Sequence, residues 1–293
     1  MDQRTQRGAT CGWLGMDSGR LRSRQRGAIP ASNKIFKFIT TKTGEKMNYN
    51  QFLNEILDKP AKAAQCYQLF HNYSLNNQWL ASCQMQELEP INTYKGWQAL
   101  GRQVKKGAKA IELMMPVSFK DKEDETKTKT FYIKKKNWFK LSDTSGEDYK
   151  QENPKNFDLE KALAALEIKI EKFAMVNGNC QGYAKPNENL IAINSLASDP
   201  FKTSIHEMAH CLLHKDEEGE TLNHAETLLP RSIKELEAEG TAYIVKTSLG
   251  IFDGLEFSRN YIKNWLAGDE IKESNFKRIL SAATKILKAG TQE

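Results

Sequence analysis

Thr203-Ser204-Ile205-His206-Glu207-Met208-Ala209-His210-Cys211-Leu212 contains the pattern HExxH. On a helix the four-residue spacing puts His206 and His210 on one face, one turn apart, where two imidazoles can grip one metal ion. Glu207 stands beside the first histidine, placed to take a proton from water at such an ion rather than to bind it. A zinc-dependent hydrolytic centre is the leading reading; a solvated helix with two incidental histidines is the alternative. The flanks favour the first. Met208, Ala209, Cys211 and Leu212 are uncharged, as a helix with its other faces buried requires. Asp199-Pro200 supplies a helix start, with Asp as cap and Pro at the first helical position. The run to Lys215 is long enough for about four turns.

Zinc asks for a third protein ligand and an open fourth position. His214 and His224 lie nearby. Three ligands cannot come from one straight helix face, which sets His214 aside, while His224, in a polar loop, remains a possible ligand. The better source is the next helix, which follows Leu228-Leu229-Pro230, begins at Arg231 and ends near Gly250. At about 100° per residue, Glu235 and Glu239 fall within roughly 40° of each other, flanked by Leu236, Ala242 and Tyr243. Glu237 points to the opposite side, with Lys234 and Thr241 as neighbours towards solvent. Two carboxylates on an apolar flank are costly unless something pairs with them, and a metal with its histidine shell would. Glu235 is therefore the expected third ligand, and Glu239 would orient a ligand histidine through its second ring nitrogen. An exposed acidic helix is the blander alternative.

The 293 residues suffice for two ordinary domains. No apolar run approaches the ~18 residues of a membrane helix, so no membrane contact is expected. The first residues lack the apolar core of a signal peptide. Cys11, Cys66, Cys83, Cys180 and Cys211 make an odd count without CxxC spacing, and read as reduced thiols of a cytoplasmic protein. The net charge of +6 is uneven. Residues 1–46 hold ten basic against three acidic side chains, residues 47–150 sixteen against twelve, and residues 151–293 seventeen against twenty-two. Polyanion contact is expected of the front half, not of the metal-bearing half.

Residues 1–46 mix Gly, Ser, Arg and Gln without a sustained period, and read as a basic, disordered arm. The arm would either add non-specific phosphate contacts or be an upstream extension without function, since Met47 reads as a natural beginning. From Tyr49 the pattern is helical, with Phe52, Ile56 and Leu57, then Cys66, Leu69 and Phe70 at three- and four-residue spacing. A short helix with Trp97 and Leu100 should break at Gly107, and a strand through Ile111, Leu113 and Met115 should end before Pro116. Lys105, Lys106 and Lys109 cluster at that turn, with Arg102 a turn earlier. Cations among aromatics suit single-stranded nucleic acid, although Trp79 and Trp97 equally suit a core. Residues 118–130 read as a charged hairpin or loop, and 131–141 as a returning strand whose Lys134, Lys135 and Lys136, with Trp138, are a second candidate strip. Residues 146–156 are the expected linker. Asp158 to Phe173 should be helical, 182–193 a strand pair, and 255–293 one or two amphipathic helices closing the core.

Glu235-Leu236-Glu237-Ala238-Glu239 resembles the ExxA(D/E) signature that completes the HExxH site of glutamate-type zincins. The stretch from Gly182-Tyr183 to Leu249-Gly250-Ile251 resembles the metallopeptidase half of the antirestriction protein family ArdC. Tyr73-Ser74-x-Asn76, Trp97, and Gly101-Arg102-x-Val104-x-Lys106-Gly107 resemble its amino-terminal domain for single-stranded DNA, in the expected order. The resemblance implies an α+β chain: arm 1–46, DNA-binding domain 47–145, linker 146–156, zincin-like domain 157–293. It implies Zn²⁺ on His206, His210 and Glu235, Glu207 as base, and Glu239 behind the ligands. It also implies DNA contacts from Tyr73, Asn76, Trp97, Arg102, Lys105, Lys106 and Lys109, with an edge strand just ahead of the metal helix pairing with a peptide substrate. Three functions follow as expectations: a DNA-tethered protease guarding incoming mobile-element DNA, a DNA-binding shield with a structural or vestigial metal site, or a regulatory metallopeptidase independent of DNA.

Overall fold

Asn48 opens the first helix through a capping box, its side chain accepting from the Gln51 N–H (2.8 Å) while the Gln51 side chain accepts from the Asn48 N–H (2.9 Å). The computed structural model describes residues 39–40, 46–120, 128–174, 180–215, 229–267 and 272–292. Ahead of that cap, β1 (Ile39–Thr40) and β2 (Lys46–Met47) pair antiparallel, so the described end of the basic arm is extended strand and not unstructured chain. Three helices follow: α1 (Tyr49–Asp58), α2 (Pro60–Phe70), which begins on a proline, and α3 (Leu75–Cys83), capped by Ser74. Phe52, Ile56, Leu57, Cys66 and Phe70 are all buried, as their spacing predicts.

Next come β3 (Ile91–Thr93), α4 (Tyr94–Ala99), β4 (Arg102–Val104), β5 (Ile111–Lys120), β6 (Thr128–Lys140) and β7 (Thr144–Gly146). β6 is the central strand between β3 and β5, and β4 pairs with β7. Two expectations are corrected here. The helix of Trp97 stops at Ala99, not at Gly107, because Gly101 takes a left-handed φ of 70° and turns the chain into β4. The strand from Ile111 does not end before Pro116 but runs through it, with Pro116 opposite Tyr132. The reason is that β5 is an edge whose outward groups are met by side chains of the α3 segment. Gln84 bonds both backbone groups of Glu112 (2.8 and 2.9 Å), and Asn77 both of Met114 (2.9 Å each). At the next outward position Pro116 has no N–H to satisfy.

The remaining elements are α5 (Leu159–Ala165), β8 (Lys169–Ile170), β9 (Gly182–Lys185), β10 (Leu190–Ile193), α6 (Pro200–Leu213), α7 (Arg231–Ser248), α8 (Leu255–Ala267) and α9 (Glu273–Thr291). α5 is shorter than expected: Glu167 adopts φ 56°, and the chain turns into β8 instead of continuing as helix to Phe173. β10, the strand just ahead of α6, is not an edge. It lies between β8, to which it is parallel, and β9, to which it is antiparallel, so among the described residues the open edges belong to β8 and β9.

One apolar core runs through the front and back helices. The Phe52 ring stands edge-on to both Trp79 (5.4 Å) and Phe276 (5.3 Å). The Tyr243 hydroxyl donates to the Leu57 carbonyl (3.1 Å), and the Leu75 N–H to the Thr284 hydroxyl (3.3 Å). Packing thus crosses the boundary read from the sequence. No regular element lies between Gly146 and Leu159, though Tyr149 leans its ring against Trp97 at 5.2 Å. The architecture is α+β. Among the described residues Cys66, Cys83, Cys180 and Cys211 are buried free thiols, and no helix is long and apolar enough to cross a membrane.

Candidate metal centre

Asp199 caps α6, accepting from the Lys202 N–H at 2.8 Å, and Pro200 takes the first helical position. Ile205, Met208, Ala209 and Cys211 are buried, which fixes the helix's rotation and turns His206 and His210 to the same side. α7 packs across α6 and brings Glu235 to the two rings. His206 Nε2 lies 3.2 Å from His210 Nε2, and Glu235 Oε2 lies 3.3 Å from the first and 3.7 Å from the second. Four donors set tetrahedrally ~2.0–2.1 Å from an ion stand about 3.3–3.4 Å apart, so these three atoms have the spacing of three corners. Within the described residues His206, His210 and Glu235 are the group able to hold a metal ion. His224 lies outside the described residues.

The other ring nitrogens are occupied too. His206 Nδ1 lies 3.1 Å from Glu239 Oε2, and the second oxygen of Glu239 takes the Lys202 ammonium at 2.6 Å. A carboxylate can only accept, so the Nδ1–H of His206 donates to it and any second proton must sit on Nε2, the atom a cation would claim. Burial works to lower the His206 pKa, but its hydrogen bonds to Glu235 and Glu239 outweigh it and raise the group well above the ordinary imidazole range. Glu235, which faces Nε2, would hold a metal at the place where it now holds that proton, while Glu239 stays on Nδ1. Glu235 is correspondingly held far below the carboxylate range, its burial outweighed by His206 and His210.

Glu207 is 7% exposed, and burial pushes its carboxyl up to about 7, the range suited to moving a proton near neutrality. β9 presses on α6 at this point. A Cβ on Gly182 would stand 2.7 Å from Thr203 Cγ2 and 3.3 Å from Glu207 Cγ, so glycine is what allows the strand so close.

Glu237 corrects the sequence reading. It does lie on the far side of α7, but that side faces α9 rather than solvent, and Glu237 is 0% exposed. It accepts from Asn275 Nδ2 (2.9 Å), from Arg278 Nε (3.0 Å) and from His214 Nε2 (2.9 Å). Burial alone would raise its pKa; His214, Asn275 and Arg278 together hold it below the usual value. His214 Nδ1 lies 2.8 Å from His210 Nδ1. His214 is not among the three grouped donors, and its contact with His210 was not expected from the sequence. The i+4 spacing from His210 was its visible signal, whereas the α9 residues left none.

The expected DNA residues are scattered. Trp97 is 0% exposed and its indole N–H donates to the Phe139 carbonyl (2.8 Å), so it holds α4 on the sheet and offers no face to a base. Tyr73 packs against the core and donates to the Ile91 carbonyl (3.3 Å), and Asn76 is half-buried. Arg102 is engaged by Thr144 Oγ1 (2.8 Å) and the Glu147 carbonyl, tying β4 to the chain beyond β7. Lys105, Lys106 and Lys109 are exposed, and Lys105 reaches the Ser142 carbonyl (2.9 Å). Lys109 also lines a groove with Lys134, Lys136 and Lys140, of which Lys134 pairs with Glu112 (3.4 Å) and Lys140 with Glu89 (3.1 Å). Trp138 is buried and unavailable for stacking.

Residues 42–161 match the family model described as the N-terminal domain of anti-restriction factor ArdC. The chain is ArdC-like over that domain, which begins ahead of Met47 and ends within α5. Two solved structures are similar to the chain, both of the antirestriction ArdC protein from plasmid R388. The metal-free form is 21% identical, with 83% of this chain and 94% of that chain covered and a TM-score of 0.44. The Mn(II)-bound form is 20% identical, with 83% and 96% covered and a TM-score of 0.47. No curated protein matches the chain significantly.

Proposed function

We propose that this chain is an antirestriction metallopeptidase: a front half that holds single-stranded DNA, and a zincin-like back half that cuts peptide bonds. The observation that carries the enzymatic half is the convergence of His206 Nε2, His210 Nε2 and Glu235 Oε2 within 4.8 Å of one another, beside a buried glutamate. The donor set, two imidazoles and one carboxylate, suits a divalent ion, and zinc is the proposed one. Such an ion supplies Lewis acidity, polarising a carbonyl and easing the deprotonation of water. Glu207 takes the proton from the attacking water and returns it to the leaving amine. Glu239, steadied by Lys202, fixes the His206 ring.

The likeness of residues 42–161 to the ArdC N-terminal domain supports the DNA-binding half, with Lys105, Lys106 and Lys109 as its phosphate contacts. The protein would work in the cytoplasm, cleaving a protein substrate near incoming mobile-element DNA. Glu207→Gln tests the reading. It should leave metal uptake and DNA affinity intact while lowering peptide hydrolysis by at least ~10²-fold. Protection of DNA that survives this change would replace the protease with a DNA-binding shield.

A further inference from the structure

Behind the second histidine of the pair stands a chain of polar groups that peptide hydrolysis at the metal leaves without a task. It begins at His210 Nδ1, passes through His214 at the end of α6, and continues to the wholly buried Glu237 on α7. It ends at Asn275 and Arg278 on α9. We propose that His214, Glu237, Asn275 and Arg278 form a positioning relay that fixes the ring orientation and proton placement of His210, leaving its Nε2 bare towards the metal position. The proposal rests on His210 being a metal ligand.

The direction of every hydrogen bond in the chain is forced from its far end. Arg278 and Asn275 can only give protons to the oxygens of Glu237, so that carboxylate is an acceptor throughout. His214 Nε2 must then carry a hydrogen to reach it. A neutral imidazole has one N–H, so His214 Nδ1 is a lone pair and can only accept. The 2.8 Å contact makes His210 Nδ1 the donor, and His210 Nε2 is left as the lone pair facing Glu235 and His206.

The two ligand histidines are therefore served differently. His206 is held by Glu239 directly, one turn past Glu235 on the same helix face. His210 lies farther along α6, where α7 presents Glu237 on its other side, and the ring of His214 spans the gap. A purely structural tie would not need such groups. Burying an ionised carboxylate against a guanidinium and an imidazole gains little over well-packed apolar side chains of the same volume. What apolar side chains could not do is hold a proton on one named nitrogen of His210. α9 thereby belongs to the candidate metal centre although none of its residues is among the three grouped donors.

Three variants and two readouts test this. In metal-free wild-type protein, long-range ¹⁵N–¹H correlation spectra should show His210 protonated at Nδ1 and His214 at Nε2. Competition titration with Zn²⁺ and with Mn²⁺ should show His214→Leu binding about 10–100-fold more weakly, as loss of a ligand's hydrogen-bond partner does elsewhere. His214→Gln, which can accept from His210 and donate to Glu237, should return close to wild type. Arg278→Met, two bonds further out, should lie between. A folded His214→Leu protein with unchanged metal affinity would overturn the relay. So would the opposite tautomer at either ring, a readout that needs no variant to fold. Wild-type protein that takes up neither ion would remove the metallopeptidase reading and the relay with it. Metal uptake by wild type that His214→Leu leaves untouched removes the relay alone.

Discussion

Removing the carboxylate of Glu235 separates a three-ligand site from a pair of neighbouring histidines. Its Oε2 lies 3.3 and 3.7 Å from the two imidazole nitrogens. If those three atoms share an ion, each supplies a comparable part of the binding free energy. Four-ligand zinc sites bind with about 10–16 kcal/mol, or roughly 2.5–4 kcal/mol per ligand, so Glu235→Ala should weaken binding by about 10²–10³-fold. The fold should survive, because His206 keeps Glu239 and His210 keeps His214. Thermal unfolding with and without metal reads the difference directly. At a free zinc concentration ~1,000 times the wild-type dissociation constant, wild type gains about 4 kcal/mol from binding, and Glu235→Ala should gain only about 0.4–1.4 kcal/mol. Glu235→Asp, with one methylene fewer, should fall between. Equal metal-induced stabilisation of wild type and Glu235→Ala would refute the reasoning and move the third ligand to another residue, with His224 the first to examine.

Other expectations concern the frame and the DNA face. Asp199→Asn keeps an acceptor for the cap but loses the charge facing Lys246. Burial raises the Asp199 pKa, yet the Lys246 ammonium and the Lys202 N–H outweigh it and hold the group below its ordinary 3.8. The lowered folded value means that its contribution is present above ~pH 4 and lost as pH falls further. Wild type should accordingly exceed the variant by about 1–3 kcal/mol at pH 7, and the gap should narrow as pH falls below the ordinary carboxylate range in denaturant titrations. Lys106→Glu with Lys109→Glu should weaken single-stranded DNA binding and reduce the log–log salt slope by ~0.7 per lost phosphate contact; an unchanged slope would clear this turn of any role. Trp97→Ala should cost about 3–5 kcal/mol of stability, seen as a lower unfolding midpoint, and any loss of DNA affinity should track unfolding.

Where a pattern is local, it could be read before any coordinates. The α6 start at Asp199-Pro200, the shared face of His206 and His210, and the roughly 40° between Glu235 and Glu239 all depend on helical period alone. The structure places those side chains as that period requires. A position that depends on which element packs opposite leaves no such local signal. Glu237 was placed on the correct face of α7, but nothing in its neighbourhood announced that α9 would cover that face. Pro116 ends a strand only if its outward edge needs donors. Asn77 and Gln84, 37 and 28 residues from their partners in sequence, meet that edge up to Met114 and leave Pro116 where no N–H is required. Trp97 illustrates the same limit with the opposite sign. Its cationic neighbours suggested a stacking platform, while the Phe139 carbonyl and the ring of Tyr149 make it a core residue.

α7 draws these cases together, because its two polar faces both reach the His206–His210 pair, one directly and one through His214. Glu235 and Glu239 meet the histidines on one face, while Glu237 on the other reaches His210 only through His214. An acidic triplet at alternate positions would be costly on an ordinary buried helix. Here each carboxylate has a cationic or N–H partner from a different element: His206 and His210 on α6 for Glu235, His206 and Lys202 on α6 for Glu239, and Arg278 on α9 for Glu237. The burial of these charges is therefore tied to the relative placement of α6, α7 and α9. A substitution in the α7–α9 contact, such as enlarging Gly240, whose added Cβ would stand 3.0 Å from Ile279 Cδ1, should disturb metal affinity through Glu237 before it disturbs the histidine pair itself. Gly240→Ala measured by metal competition and by unfolding decides this: metal affinity that falls with little change in the metal-free midpoint supports the tie, and a loss of stability with affinity intact refutes it.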